Sequence, residues 1–287
     1  MNIGVVILHY KTYQDTIKCA TSFIENLENI NYKIVVVDNY SNDGSFEILQ
    51  NHFQGNNNVY TISTKYNMGF AKGNNYGNFF LKKLDVNFDF VIFCNNDTYI
   101  DDSDFFNKII MSHNQYNWDV MGPDIIRVVD KVHQNPLSIP NWNNFSINKK
   151  ILEFSMKILI LKVAPIILKY KKNKNSIHVK TSFEKQIQED VCLHGAVLIF
   201  SKSYLQTFEN VFYDKTFLYL EEDILYLRCK LNNLKMVYDS RIKIYHNHSS
   251  ATKKIYRDEA KRKIFFLKNQ IASLKVLRSY LKDPKEY

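Results

Sequence analysis

Short β-branched runs alternate with helical stretches over the first hundred residues, and no other feature limits the fold as strongly. Helical patterns lie near residues 15–27, 45–53 and 73–84, and they separate four apolar runs, Ile3–His9, Lys33–Asp38, Val59–Ile62 and Phe88–Cys94. Near-continuous apolar strands joined by helices are typical of a parallel sheet that is covered on both faces. The sequence predicts an α/β protein with a mostly parallel central sheet flanked by helices.

The later part of the chain continues this pattern less regularly. It predicts strands at 191–201 and 235–246 and a helix at 220–231. We expect one domain over residues 1–250 with an insertion near 140–185, followed by a helical tail over residues 251–287.

Polar residues stand where the predicted strands end, and this is the edge at which open α/β sheets bind ligands. His9 ends the first strand, and Asp38 ends the second beside a loop that contains Ser41 and Asp43. A carboxylate in this place suits a nucleotide, because it accepts protons from a base N–H or a ribose hydroxyl. An Asx-turn or a helix N-cap would explain Asp43 equally well without a ligand.

A segment rich in glycine and asparagine, residues 67–77, follows the third strand. It matches neither a G-x-G-x-x-G fingerprint nor a P-loop, which argues against dinucleotide and ATPase sites. Two interpretations stay open, a loop that approaches a ligand closely and a tight turn that enters a helix.

Two further polar clusters are candidates for chemistry. Asp97 follows the fourth strand, and one carboxylate together with phosphate oxygens is enough to hold Mg²⁺ or Mn²⁺. Glu221, Glu222 and Asp223 begin a predicted helix, where acids also favour the helix dipole. Repulsion among them would raise at least one pKa, which suits a general base.

Four stretches resemble glycosyltransferase family 2, inverting enzymes of the GT-A fold, and specifically its rhamnosyltransferase-like members in bacterial polysaccharide and capsule synthesis. They are Val35–Ser45, Asn67–Gly77, Asn95–Thr98 and Phe217–Asp223. The resemblance covers about the first 250 residues and implies a nucleotide-sugar donor. It also implies that Asp38 contacts the nucleobase, with Ser41 and Asp43 as neighbours.

The resemblance implies further site residues. It places a donor-binding loop at Gly69, Lys72 and Asn74, and it adds His9, Asn95 and Asn96 to the donor contacts. Asp97 takes the metal position although Asn95 replaces the first acid of the usual D-x-D, and His246 contacts the metal or the diphosphate. The general base falls on Glu222, with Asp223 as the alternative and Glu221 beside them.

Charge is concentrated in two segments of a chain whose formal net charge is +9. Residues 149–185 carry ten lysines and two acids, and the residues from Lys253 onward carry eleven basic and four acidic groups. In the tail Lys261, Lys268, Lys275 and Lys282 lie opposite an apolar stripe, which fits a membrane surface or a helix packed on the domain. The apolar stretch 154–168, followed by lysines at 169–174, favours an anionic membrane.

The sequence therefore predicts transfer of a sugar from dTDP-rhamnose or a UDP-hexose to a lipid-linked or growing cell-surface polysaccharide. Four cysteines without paired spacing and the lack of a signal-peptide pattern at Met1 favour the cytoplasm, with peripheral attachment to the inner membrane face. A sugar nucleotidyltransferase and a basic nucleic-acid-binding protein are the alternatives. We expect no nucleic acid partner, because the basic residues are not interleaved with aromatic ones.

Overall fold

The computed structural model describes residues 1–27, 30–84, 86–163, 186–247 and 258–284. These residues form nine strands in one sheet: β1 (Asn2–His9), β2 (Asn31–Asp38), β3 (Val59–Ser63), β4 (Phe90–Asn95), β5 (Thr98–Tyr99), β6 (Val120–Arg127), β7 (Gln188–Glu189), β8 (Val197–Ser201) and β9 (Met236–His246).

The described residues also form eight helices: α1 (Tyr13–Asn26), α2 (Ser45–His52), α3 (Gly69–Lys82), α4 (Phe105–Tyr116), α5 (Asn144–Val163), α6 (Lys202–Thr207), α7 (Glu221–Leu231) and α8 (Glu259–Lys282). Among them, no helix is both long and apolar enough to cross a bilayer.

The strands follow the order β3-β2-β1-β4-β8-β6-β9-β5, and β7 pairs with β9. The pairs β1–β2, β1–β4, β2–β3 and β6–β9 are parallel, whereas β4–β8, β6–β8, β5–β9 and β7–β9 are antiparallel. The sheet is therefore mixed: the order β3-β2-β1-β4 is parallel throughout, as expected, and the rest combines the parallel pair β6–β9 with antiparallel pairs. A strand that is buried on both faces carries the same continuous apolar run in either direction, so the sequence does not reveal the reversal at β8.

Alternate residues of the strands supply two cores, one on each face of the sheet. Val5 and Val36 pack with α1 and α4, for example against Phe23. Val6 and Val37 point to the opposite face, where they pack with α3 and α7. This two-sided burial fixes the register of the central strands and so the position of their polar ends.

A third, smaller core joins α5, α7 and α8. It contains Ile147 and Phe154 of α5, Ile224 of α7, and Leu267 and Leu274 of α8. The apolar side of the C-terminal helix is thus packed against the protein, while Lys261, Lys268, Lys275 and Lys282 are exposed. The structure favours the packed-helix interpretation of this segment.

Candidate active site

The end of β2 is closed by a network centred on Asp38. Asp38 Oδ1 accepts a hydrogen bond from the Ser41 backbone N–H at 3.1 Å, and Oδ2 accepts one from the Ser63 hydroxyl at 3.1 Å. The Ser41 hydroxyl in turn accepts from the Lys11 backbone N–H at 2.9 Å. Asp38 is only 2% exposed, so in this structure its carboxylate fixes the conformation of the loop at residues 39–41.

His9 lies beneath that loop and is fully buried. Its Nδ1 is 2.7 Å from the Thr16 hydroxyl and its Nε2 is 2.9 Å from the Ser45 hydroxyl. Burial lowers the pKa of His9 to about 4, although the charges of Asp38 and Asp43 act in the opposite direction. His9 is therefore neutral at pH 7, and its hydrogen bonds give it a positioning role beneath the loop at residues 39–41.

Asn96 connects the end of β4 to the start of α1. Its amide Nδ2 donates to the hydroxyls of Thr12 at 2.6 Å and Thr16 at 2.8 Å. Thr16 also contacts His9, so the ends of β1, β2 and β4 are joined by one set of hydrogen bonds. Sequence analysis missed Thr12 and Thr16, since hydroxyls in a first helical turn carry no distinctive signal.

Asn39 joins the Asp38 loop to the glycine-rich segment. Its side chain accepts from the Met68 backbone N–H at 2.8 Å and donates to the Gly69 carbonyl at 3.0 Å. Phe70 N–H donates to the Phe217 carbonyl at 2.8 Å, which ties the same segment to the residues before α7. The segment enters helix α3 at Gly69, as the turn interpretation expects, and close approach to a ligand stays a prediction.

Replacing Gly69 by alanine should destabilise the protein. Gly69 has a φ of +77°, and a Cβ there would lie 2.2 Å from the Phe217 carbonyl oxygen. We expect a loss of at least about 1–3 kcal/mol from backbone strain alone. Gly55→Ala is the matched control, because Gly55 has a φ of +89° and nothing within 4 Å. Thermal unfolding of both variants measures the difference, and an equal loss would disprove the close contact.

Asp97 and His246 form the candidate metal centre. Asp97 Oδ1 lies 3.1 Å from His246 Nε2, and the imidazole Nδ1 is 2.8 Å from Gln134 Oε1. An amide oxygen only accepts, so Nδ1 donates to Gln134 and Nε2 is the ring nitrogen that faces the Asp97 carboxylate. Two ligands of one octahedral ion at about 2.1 Å lie about 3 Å apart, so this pair fits a divalent cation.

No third acid, histidine or cysteine completes a protein-only metal site within the described parts of the chain. This donor set resembles Mg²⁺ or Mn²⁺ sites that take their remaining oxygen ligands from a phosphate and water. Sequence analysis also missed Gln134, because it lies 112 residues from His246 in the chain.

A short run of contacts leads from this pair to the acidic cluster. The rings of His246 and His194 are 6.2 Å apart, centroid to centroid. The next residue, Gly195, donates its backbone N–H to Glu222 Oε1 at 3.2 Å, and a Cβ on Gly195 would lie 2.8 Å from that oxygen. Ala196 accepts from Asn95 N–H at 2.8 Å, which holds this run against the end of β4.

The three acids of the cluster differ in their partners. Asp223 Oδ1 accepts from the Trp142 indole N–H at 2.6 Å, whereas the Glu222 carboxylate accepts from the backbone N–H groups of Gly195 and of Glu222 itself. Glu221 is 7% exposed, and its Oε1 has no hydrogen-bond partner among the described residues. Sequence analysis missed Trp142 as well, since it lies 81 positions before Asp223.

Burial raises the pKa of all three carboxyl groups. For Glu221 it is the largest cause, followed by the charge of Glu222, and it brings the pKa to about 8. Burial and the charge of Asp223 raise the pKa of Glu222 as well, and burial raises that of Asp223 against the Trp142 hydrogen bond. The raised pKa values were expected, but desolvation contributes more than the mutual repulsion on which that expectation rested.

The raised pKa of Glu221 predicts how stability depends on pH. The folded state binds a proton more tightly than the unfolded chain, so this group stabilises the fold below pH 4.5 and the contribution is lost as pH rises to about 8. Glu221→Gln should remove that loss. Between pH 4.5 and about 8, we expect the melting temperature of the Glu221→Gln variant to fall less than that of the wild type. An identical dependence of melting temperature on pH in both proteins would contradict the raised pKa of Glu221.

Backbone strain is concentrated directly before the acids. Tyr219 and Leu220 both have positive φ angles, 74° and 65°, and they precede α7 in sequence. Side chains with a Cβ rarely adopt this conformation, and its cost is tolerated most often at functional sites. The strained turn at Tyr219 and Leu220 fixes the start of α7, and with it the position of the acids in its first turn.

The remaining candidates occupy varied places around these networks. Asp43 is exposed and accepts from the Ser45 backbone N–H and hydroxyl, as a turn residue does. Lys72 is partly exposed on α3, whereas Asn74 is 1% exposed and its Nδ2 donates to the Phe70 carbonyl. Two cavities of about 420 and 620 Å³ lie elsewhere, and no candidate residue lines them.

Comparison with solved structures identifies the fold. S. aureus TarS 1–349 has a TM-score of 0.53 with 15% identity, over 99% of this chain and 76% of that one. TarS 1–349 in complex with UDP-GlcNAc has a TM-score of 0.54 with 14% identity, again over 99% of this chain and 76% of that one. In the longer structure of S. aureus TarS the match covers 44% of that chain. These likenesses confirm the predicted GT-A fold.

The family model for Glycosyl transferase family 2 matches residues 4–175. The chain therefore belongs to this family and is a glycosyltransferase. A comparison with curated proteins gave no match. Family membership sets aside the nucleotidyltransferase and the nucleic-acid-binding alternatives.

Proposed function

We propose that the protein transfers one sugar, with inversion, from dTDP-rhamnose or a UDP-hexose to a hydroxyl of a lipid-linked or growing bacterial cell-surface polysaccharide. The observation that carries this proposal is the run of contacts from Asp97 and His246 through Gly195 to Glu222. It brings a cation site and a carboxylate of raised pKa to one end of the sheet. That S. aureus TarS binds UDP-GlcNAc supports the choice of a nucleotide-sugar donor.

The loop fixed by Asp38 would bind the nucleobase and ribose. Asp38 retains lone pairs beyond those used by Ser41 and Ser63, and Asn39 holds the Gly69 segment next to it. In this arrangement Ser41, Asp43, Lys72, Asn74 and Asn95 surround the donor, while His9 and Asn96 keep the strand ends in place. The backbone near Gly69 would contact the sugar and diphosphate, and the missing Cβ of Gly69 lets this segment pack against the Phe217 carbonyl.

Asp97 and His246 would hold Mg²⁺ or Mn²⁺, with Gln134 orienting the imidazole. When bound, the ion offsets the charge that develops on the leaving diphosphate. The hydrogen bond from Nδ1 to Gln134 keeps Nε2 directed at Asp97, so the two ligands remain aligned before the donor arrives.

Glu222 would act as the general base. Its Oε1 is held by the Gly195 N–H, and its raised pKa makes it a stronger proton acceptor than an exposed glutamate. As the acceptor oxygen attacks the anomeric carbon from the face opposite the nucleotide, its proton passes to the Glu222 carboxylate. The bond from the anomeric carbon to the diphosphate oxygen breaks, and the configuration inverts.

A polyprenyl-diphosphate acceptor would place the enzyme at the inner face of the cell membrane. We therefore propose a cytoplasmic protein that attaches peripherally to anionic lipid. The two basic segments support this proposal, because lysines are attracted to an anionic leaflet within about one Debye length.

A thermal-shift panel tests the donor assignment. The protein is heated with Mn²⁺ and each of dTDP-rhamnose, UDP-glucose, UDP-galactose and UDP-GlcNAc. A donor that binds only the folded state at 100 times its Kd adds about 2.7 kcal/mol of stability and raises the melting temperature. Incubation with acceptor should then release UDP or dTDP. A panel without any shift, or release of pyrophosphate, would overturn the proposal.

A further inference from the structure

Helix α5 exposes a continuous apolar face. Its large apolar side chains remain 52–78% exposed at six positions, Phe145, Leu152, Met156, Leu159, Ile160 and Val163. At 3.6 residues per turn these positions fall within about 100° of one another around the helix axis. They therefore form one stripe, which we call the α5 stripe.

The opposite side of the same helix is packed into the protein. Ile147 and Phe154 are 0% and 9% exposed, and they lie about 180° from the α5 stripe on the helical wheel. The buried side contacts α8 and holds the helix against the domain. Helix α5 is therefore apolar on two opposite sides. One side packs into the protein core, and the other, the α5 stripe, stays exposed to water after folding.

The charges beside the stripe are mainly positive. Helix α5 carries four lysines and one glutamate, and Glu153 pairs with Lys150 at 3.1 Å and with Lys157 at 2.5 Å. Lys149 is exposed and falls within the angular range of the α5 stripe, one turn after Phe145, whereas Lys162 is exposed about 60° beyond the edge of the stripe. The neighbouring α8 carries seven basic residues and one acid. An apolar stripe with lysines at its borders is typical of a helix that lies in a membrane interface.

The α5 stripe begins close to the acidic cluster. Trp142 stands two residues before α5 and donates to Asp223, and Ile147 shares a core with Ile224 of α7. From that end the helix of 20 residues extends about 30 Å. A surface that binds the stripe would therefore also lie near Glu222.

We infer that the α5 stripe binds an anionic lipid bilayer, with the helix parallel to the surface, the apolar side chains among the acyl chains and the lysines at the headgroups. This inference rests on the proposed transfer to a lipid-linked acceptor. The occupant is lipid because the lysines complement anionic headgroups, whereas the packed side of α5 already provides its protein contact. The sequence favoured the apolar stretch 154–168 for an anionic membrane, and in its described part Phe154 is buried whereas Met156, Leu159, Ile160 and Val163 belong to the α5 stripe.

Sedimentation of the full chain with vesicles tests this inference. The vesicles contain equal parts of phosphatidylglycerol and phosphatidylcholine, and phosphatidylcholine alone serves as the uncharged comparison. The wild type should bind the anionic vesicles at low salt. Leu152→Glu with Leu159→Glu should reduce partitioning at least ~10²-fold, because two leucines lose their transfer from water.

The matched control is Met111→Glu with Leu231→Glu. Met111 and Leu231 are 61% and 56% exposed on α4 and α7, against 62% and 61% for Leu152 and Leu159, so exposure and charge change are alike. The control should bind as the wild type does. Failure of the wild type to bind anionic vesicles, or equal loss in both double variants, would overturn the inference.

Light scattering without vesicles distinguishes lipid from a second copy of the chain. A change in molecular mass in the Leu152/Leu159 variant, with vesicle binding unchanged, would assign the stripe to self-association and overturn the lipid inference. Vesicle binding needs neither donor nor acceptor, so its failure is separable from failure of the donor thermal shift.

Discussion

Glu222→Gln should lower kcat by about 10²–10⁴-fold, the range expected when a general base is removed. Glutamine has the same shape and keeps an oxygen that accepts the Gly195 N–H, which lies 3.2 Å from Glu222 Oε1. The fold and the donor site should therefore persist, while the proton acceptor is lost. Steady-state kinetics with saturating donor measure the change, and a thermal shift with the donor confirms that its affinity is retained.

Asp223→Asn is the comparison for this experiment. Asparagine can still accept from the Trp142 indole N–H through its amide oxygen, so the contact at 2.6 Å is preserved. We expect a smaller loss than for Glu222→Gln. Near-normal turnover in the Glu222 variant together with a large loss in the Asp223 variant would transfer the role of base to Asp223.

Asp97→Ala should abolish metal-dependent donor binding. Asp97 Oδ1 lies 3.1 Å from His246 Nε2, and removal of even an outer-shell partner typically costs about 10–100-fold in metal affinity. We expect the donor Kd in the presence of Mn²⁺ to rise by at least that factor. Calorimetric titration of the donor, with Mn²⁺ and with EDTA, measures both values.

Asp101→Ala controls for the change in charge, because Asp101 lies four residues further along and is exposed. Its donor affinity should remain within about 2-fold of the wild type and keep its sensitivity to EDTA, as expected for a surface substitution. If Asp97→Ala responds to EDTA as strongly as the wild type does, the metal is bound elsewhere and the assignment is wrong.

The first half of the fold could be predicted closely because each strand there is buried on both faces. The observed bounds of β1 to β4 lie within two residues of the predicted ones. Helix α3 begins at Gly69 rather than at residue 73, since contacts from Asn39 and Phe217 hold a segment whose local pattern suggests a turn. Such contacts join residues far apart and leave no periodic signal.

The later half was predicted less well for the same reason. The apolar run from Val191 suggested one long strand, but β8 begins at Val197. Residues before it are drawn away from the sheet, where His194 N–H donates to the side chain of Asn135 and Gly195 contacts Glu222. Pattern alone shows that these residues are buried, and it does not show which partner buries them.

The candidate site likewise contains residues that could be predicted and supporting residues that could not. Asp97 and His246 were placed together by resemblance, and their side chains are 3.1 Å apart in the structure. Residues that support the site, such as Gln134 and Trp142, come from distant loops and were missed. Their contacts depend on how residues 128–143, between β6 and α5, lie against the ends of the strands, which the sequence leaves undetermined.

The side chain of Asn39 imitates a stretch of backbone, since its amide both accepts from Met68 N–H and donates to the Gly69 carbonyl. These two hydrogen bonds connect the loop after β2 to the first turn of α3. Because of these two hydrogen bonds, a substitution that reshapes one loop will displace the other. Libraries that aim to change the proposed nucleotide preference should therefore vary both loops together and leave Asn39 unchanged.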